Sequence, residues 1–244
     1  MRQVYLSRLV LDPTNRMVWR DLGDCQQMHK TIMKAFPIPS GVKSPRSRHD
    51  ILYRLEITTE GRIVLYVQSA IKPDWSHLLE DGYLLTDCGL ENPAVKSIDE
   101  QLARIKEGMI LRFRLKGNPT KKVGTSTKTE RLAEGKKDNG RRVALLGEQA
   151  QIEWLARKGA ASGFRLLSVR ASSEVPDIYT GGRSLVKGRK PSEGSGEPLA
   201  LTFRGVIFDG HLVVTDREAF LAAVRKGIGS GKAYGFGLLS LAGA

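Results

Sequence analysis

From residue 117 to residue 140 the chain reads GNPTKKVGTSTKTERLAEGKKDNG, a stretch with almost no apolar content. A segment with so little to bury cannot contribute to a hydrophobic core, so it is expected to act as a mobile basic linker. That constraint divides the chain into residues 1–116 and 141–244, each long enough to close a core of its own.

The first part has a regular order of periodicities. Val4 to Leu11 is rich in apolar and β-branched residues and stops at Asp12-Pro13, the mark of a strand and turn. Asp24 is a suitable N-cap for a helix over 25–36, where Cys25, Met28, Ile32, Ala35 and Phe36 recur at helical spacing before Pro37. Ile51 to Ile57 alternates in polarity, TTEG at 58–61 turns, and Arg62 to Gln68 returns, giving a hairpin. A helix over about 97–106 carries Ile98, Leu102 and Ile105, and Met109 to Lys116 follows as a strand. This β-α-β-β-α-β order is that of a ferredoxin-like sandwich.

The second part repeats it. Arg141–Leu146, Phe164–Ala171 and Phe236–Leu241 read as strands, and Glu148–Lys158 as a helix. Leu199–Phe208 and His211–Val214 are expected to pair across an Asp209-Gly210 turn, with Thr215 or Asp216 capping a helix to Lys226. A basic hairpin insertion spans about 172–198, and a glycine-rich loop occupies 227–237. The expected class is α+β, two tandem ferredoxin-like (RRM-like) domains.

Composition narrows the function. With 41% hydrophobic and 27% charged residues the chain is globular, and it has no apolar run long enough to span a bilayer. MRQVYLSRLVLDP at the N-terminus lacks the uninterrupted apolar core of a secretory signal, so a cytoplasmic location is expected. Cys25 and Cys88 have no metal-ligand spacing and read as reduced thiols. Residues 1–100 balance 13 basic against 13 acidic side chains, whereas 101–244 hold 26 against 13, so the whole net charge of +13 lies in the second stretch. A polyanion partner is implied, and without an amphipathic basic helix flanked by aromatic anchors, nucleic acid is a better fit than a membrane.

Four histidines, at 29, 49, 77 and 211, show no metal-site spacing, and the carboxylates are scattered. A lone imidazole is then the natural group for proton transfer near neutral pH. His29 lies on the first helix beside Lys30, with Lys34 a little over one turn later. Position alone favours a half-buried structural histidine, and reads Lys34 as a solvated charge. Along the strand at 109–116, Leu111, Phe113 and Leu115 face one way and Arg112, Arg114 and Lys116 the other, a cation row that phosphates would neutralise. Arg183, Lys187, Arg189 and Lys190 within the insertion form either an arm for a nucleic-acid groove or a loose basic loop. Gly227 to Gly237, GIGSGKAYGFG, fails as a Walker loop because Ala233 stands at the Ser/Thr position and Lys226 at the first glycine. Its backbone N–H groups can still meet phosphate, or it is simply a helix cap.

YLSRLVLDP at 5–13, MHKTIMKAFP at 28–37, LYRLE at 52–56, KPDWS at 72–76, LRFRLKGNPTKK at 111–122 and GKAYGFGLLS at 231–240 resemble the CasE-type CRISPR RNA endoribonucleases of Cascade, within the repeat-associated CRISPR protein superfamily. The resemblance implies a cofactor-free, metal-independent ribonuclease that binds the CRISPR repeat stem-loop. It would cut at the 3′ base of the stem through 2′-OH attack, leave a 2′,3′-cyclic phosphate, and stay bound among other Cascade subunits. His29 matches the catalytic histidine of the M-H motif, with Lys34 nominated as the stabilising cation. Some relatives carry a tyrosine where this chain has Gln26. RNA contacts are expected from Lys30, Arg112, Arg114, Lys116, Asn118, Lys121, Lys122, Arg183, Lys187, Arg189, Lys190, Gly229 and Lys232. A non-catalytic RNA-binding scaffold subunit is the alternative that Gln26 keeps open.

Overall fold

The computed structural model describes residues 3–37, 45–123, 141–168, 176, 178–191 and 197–244. The linker character expected of 124–140, and the ends of the insertion at 169–175, 177 and 192–196, lie outside those residues.

β1 (Tyr5–Leu11), β2 (Leu52–Ile57), β3 (Ile63–Ser69) and β4 (Ala94–Ser97) make an antiparallel sheet in the order β2-β3-β1-β4. Helices α1 (Arg16–Gly23) and α2 (Cys25–Met33) connect β1 to β2, followed by the single turn α3 (Pro45–Arg48). Asn15 caps α1 by accepting from the Met17 N–H, and Asp24 caps α2 by accepting from the Gln26 N–H. The Asp24 N–H also donates to the Arg20 carbonyl, so one residue ends α1 and starts α2. The expected α2 is thus present, whereas the periodicity gives no sign of α1, α3 or the short α4 (Ser76–Glu80). Met28, Ile32 and Phe36 turn into a core with Leu9, Leu65, Tyr53 and Tyr83.

α5 (Asp99–Ala103) then leads to β5 (Ile110–Gly117), whose partners correct the sequence reading. This strand does not close the first sheet, which β4 completes. It pairs with β10 (Leu199–Val214) on one side and β11 (Leu239–Gly243) on the other. β8 (Phe164–Leu166) extends the second sheet to the order β11-β5-β10-β8, with β9 (Ile178–Lys190) also on β10. With α6 (Glu148–Ala160) and α7 (Arg217–Lys226) as its helices, the second unit is β5-α6-β8-β10-α7-β11. Both sheets place their strands in the sequence fourth, first, third, second, so both are ferredoxin-like. A division drawn at Lys116 cuts β5 away from the sheet to which it belongs. Alternation identifies a strand's buried face but not its partner. Leu111, Phe113 and Leu115 are buried in the second core with Phe208, Leu212 and Trp154.

Two further readings change. Arg141–Ala144 is β7, paired with β6 (Thr120–Val123) as a separate two-stranded ribbon instead of starting the second sheet. Asp209-Gly210 makes no turn, and β10 runs through it. Asp209 is paired on one side with Arg114 and on the other with Tyr179, and Gly210 stays out of the left-handed region that such a turn requires. The Asp209 carboxylate takes Arg114 Nε at 2.7 Å and Nη2 at 2.9 Å, so its demand is met across the sheet.

The two sheets are tied by buried side chains. Arg54 Nη1 donates to the Leu238 carbonyl at 3.1 Å, and Gln68 Nε2 to the Val224 carbonyl at 2.9 Å. Among the described residues no helix is long and apolar enough to cross a membrane.

Candidate active site

His29 is half-buried on α2, where the glycine loop, α3 and the end of β9 come together. The loop is shaped to reach it. Ile228 N–H donates to the Gly237 carbonyl at 3.0 Å and Gly237 N–H to the Lys116 carbonyl at 2.9 Å, closing a ring. Gly237 has a φ of +88°, and a Cβ there would stand 2.8 Å from the Ile228 oxygen, so glycine is required. Within the ring the 3₁₀ turn Lys232–Tyr234 is presented to α2.

That turn makes three contributions. The Ala233 carbonyl accepts a hydrogen bond from the imidazole. The Tyr234 ring stands edge-on to His29 with centroids 6.1 Å apart, and is backed by Phe203 at 5.1 Å. Its hydroxyl donates to Gln26 Oε1 at 3.2 Å. Burial is the main cause lowering the His29 pKa, and the Arg46 and Lys190 charges lower it further, while the Ala233 bond opposes them. The net lowering favours the neutral imidazole at pH 7, the form that can accept a proton.

Arg46 is held in place by donating to the Ile51 carbonyl at 2.8 Å. Burial first, and the Arg46 charge second, lower the pKa of Lys232, which shares this corner. Sequence reasoning missed Arg46 and Tyr234. Tyr234 has a signal, the one phenol among the glycines of GKAYGFG, but Arg46 in SPRSR has none.

The other expected residues scatter. Lys30 and Lys34 are exposed at the C-terminal end of α2. Lys121 and Lys122 are exposed on β6, and Arg183, Lys187, Arg189 and Lys190 on β9. Asn118 is buried and donates to Ser230 Oγ at 3.3 Å, supporting the loop from behind. Gly229 packs on Trp154 at the edge of a cavity of about 330 Å³ lined by Arg142, Arg157 and Lys158.

The expected cation row on β5 is corrected. Arg114 is neutralised within the protein by Asp209 and by Glu56 Oε2 at 3.2 Å. Lys116 is largely buried over the Phe236 ring, and that burial lowers its pKa. Arg112 is exposed on the outward face of β5, and among the described residues it has no carboxylate partner such as Arg114 has. Cys25 is buried, and desolvation with Asp24 beside it pushes its thiol up to about 11, leaving it unreactive at neutral pH. Among the described residues no group of three His, Cys, Asp or Glu side chains is placed to hold a metal.

Comparison with known proteins places this geometry. A family model described as "CRISPR associated protein" matches residues 4–243. The chain is 34% identical over 242 residues to the CRISPR-associated endoribonuclease Cse3 of Thermus thermophilus, covering 98% of this chain and all of that one. It is 31% identical over 241 residues to the Cascade subunit CasE of Escherichia coli, covering 98% and 99%. Thermus thermophilus Cse3 bound to an RNA representing a pre-cleavage complex superposes with a TM-score of 0.75 at 32% identity, over 98% of this chain and 99% of that one. With a matching fold, a matching family model and relatives above 30% identity along their full length, this chain belongs to the Cse3/CasE family of CRISPR-associated proteins.

Proposed function

We propose that this chain is the endoribonuclease that matures CRISPR RNA: it binds the repeat stem-loop, cuts at the 3′ base of the stem without a metal ion, and stays on the product as a Cascade subunit. The observation that carries the reading is His29, neutral and held by Ala233, with Arg46 and Lys190 bearing on it. The names of the Cse3 and CasE relatives support the same activity and assembly.

The neutral imidazole takes the proton of the ribose 2′-OH. The 2′-oxygen bonds to the adjacent phosphorus in line, the P–O5′ bond breaks as the leaving 5′-oxygen takes a proton back from the imidazolium by way of water, and a 2′,3′-cyclic phosphate and a 5′-hydroxyl remain. A phosphorane gathers negative charge in passing. Arg46 and Lys190 are the cations best placed to stabilise it, with Lys232 behind them and Lys34 at the end of α2 as the further candidate. The exposed cations of β9, Arg112, Lys30, Lys121 and Lys122 hold the RNA phosphates. Gln26 does not leave the site without a phenol, because Tyr234 supplies one from the glycine loop.

The test is His29→Ala with stem-loop RNA of the cognate repeat. Cleavage should disappear while affinity changes little, since a neutral imidazole adds little beside so many cations. EDTA should leave the wild-type rate unchanged, and a 2′-deoxy substitution at the cut should block it. Cleavage of the deoxy substrate excludes 2′-OH attack, and loss of binding with His29→Ala makes His29 structural.

A further inference from the structure

Strand β9 runs exposed or half-exposed from Tyr179 onward, and within 179–190 only Gly188 is buried. It is buried against the start of α2, outside both cores. The Arg189 N–H donates to Asp24 Oδ1 at 3.3 Å, and the same oxygen caps α2 by accepting from Gln26 N–H at 2.8 Å. No side chain fits between them. A Cβ on residue 188 would stand 2.7 Å from Cys25 Sγ, 2.8 Å from Asp24 Oδ1 and 3.1 Å from the Gln26 nitrogen. The nitrogen is backbone and the carboxylate oxygen is already holding two N–H groups, so a methyl group drives the strand off the helix. Strand alternation puts Lys190 on the face of Gly188, turned toward α2, and puts Lys187 and Arg189 on the opposite face.

The arm therefore docks on the first unit at the junction of α1 and α2, where Asp24 caps the helix that carries His29. We propose that Gly188 is a positioning residue: its contact with Asp24 and Cys25 docks the basic arm and holds Lys190 beside His29, so that the arm that grips the RNA also completes the cleavage site. This rests on the endoribonuclease reading above. The groups facing His29 are Arg46 from α3, Lys190 from β9, Tyr234 and the Ala233 carbonyl from the glycine loop, and Gln26 on its own helix. Lys190 is the one that undocking removes.

The experiment compares Gly188→Ala, Lys190→Ala and the double variant in the full chain. In single-turnover cleavage at saturating protein, each single variant should be about a hundred-fold slower, and the double no slower than Lys190→Ala. Stem-loop affinity of Gly188→Ala should change little. Independently of cleavage, NMR titration of His29 in RNA-free protein should show its pKa rising in both single variants, because a nearby positive charge has left. Arg189→Pro deletes the N–H that Asp24 holds while sparing the edge bonded to β10, and it should raise the His29 pKa in the same way even if Gly188→Ala fails to fold. Multiplying losses in the double variant, or a His29 titration unmoved by Gly188→Ala and Arg189→Pro, overturns the proposal. Shifted titrations in a protein that never cuts the RNA uphold the docking and sink the endoribonuclease reading instead.

Discussion

At His29 two opposing effects decide the chemistry. Burial, Arg46 and Lys190 disfavour the imidazolium, and the Ala233 carbonyl favours it; the net direction is down, so a base-catalysed rate should climb with pH through a value below the ordinary 6.5 and then level off. The Tyr234 ring packs edge-on against that imidazole and contributes to its burial. Tyr234→Ala admits water beside the imidazole, so the acid limb of the pH–rate profile should move to higher pH. Tyr234→Phe keeps the ring, and the limb should stay where it is. The Phe variant instead strands Gln26 Oε1, which is buried, at a cost to stability of about 1–3 kcal/mol readable in denaturant unfolding. Limbs that coincide in the wild-type and Ala proteins would mean that Tyr234 does not set the environment of His29.

Among the elements, β5 separates what a pattern reveals from what it hides. Its alternation correctly marks Leu111, Phe113 and Leu115 as buried, but the fate of Arg112, Arg114 and Lys116 depends on strands almost a hundred residues away. Arg112→Glu should weaken stem-loop binding and reduce the magnitude of its salt slope by about 0.7–0.9 for each phosphate that is no longer neutralised. Arg114→Ala should leave the slope alone and cost about 1 kcal/mol of stability or less, because its side chain is 46% exposed and the Asp209 pair is screened by solvent. Equal slope changes in the two variants would restore Arg114 to the RNA face. The same limit applies to the site. Asp24, the helix that carries His29 and the glycine loop were legible because capping, helical period and glycine spacing are local signals, whereas His29 itself was singled out only by the family resemblance. Arg46, the packing of Tyr234 on His29 and the docking of Gly188 were not, since each is made by chain segments brought together only by the tertiary fold. Asp209-Gly210 misled for a related reason: a turn dipeptide yields when both strand edges beside it are paired.

For the whole molecule, the repeat of β-α-β-β-α-β is real but starts one strand earlier in its second copy than the polar 117–140 stretch suggests. That stretch lies inside the second unit, between its first strand and first helix, and β5 occupies a central place between β10 and β11. The consequence is testable by truncation. A fragment of 117–244 loses Leu111, Phe113 and Leu115 from its core, each worth about 1.5–3 kcal/mol when fully buried. Their sum rivals the roughly 5–15 kcal/mol that stabilises an entire domain. The 117–244 fragment should therefore show no cooperative thermal transition and should bind a hydrophobic dye. A fragment of 98–244 keeps β5 and also α5, whose Leu102 packs, with Ile105 just beyond the helix, into the second core, and it keeps the bond from Arg217 Nε to the Ile105 carbonyl at 2.7 Å. It should melt in a single transition without dye binding. Were 117–244 to melt as cooperatively as 98–244, the second sheet would close without β5, and the division at Lys116 would stand.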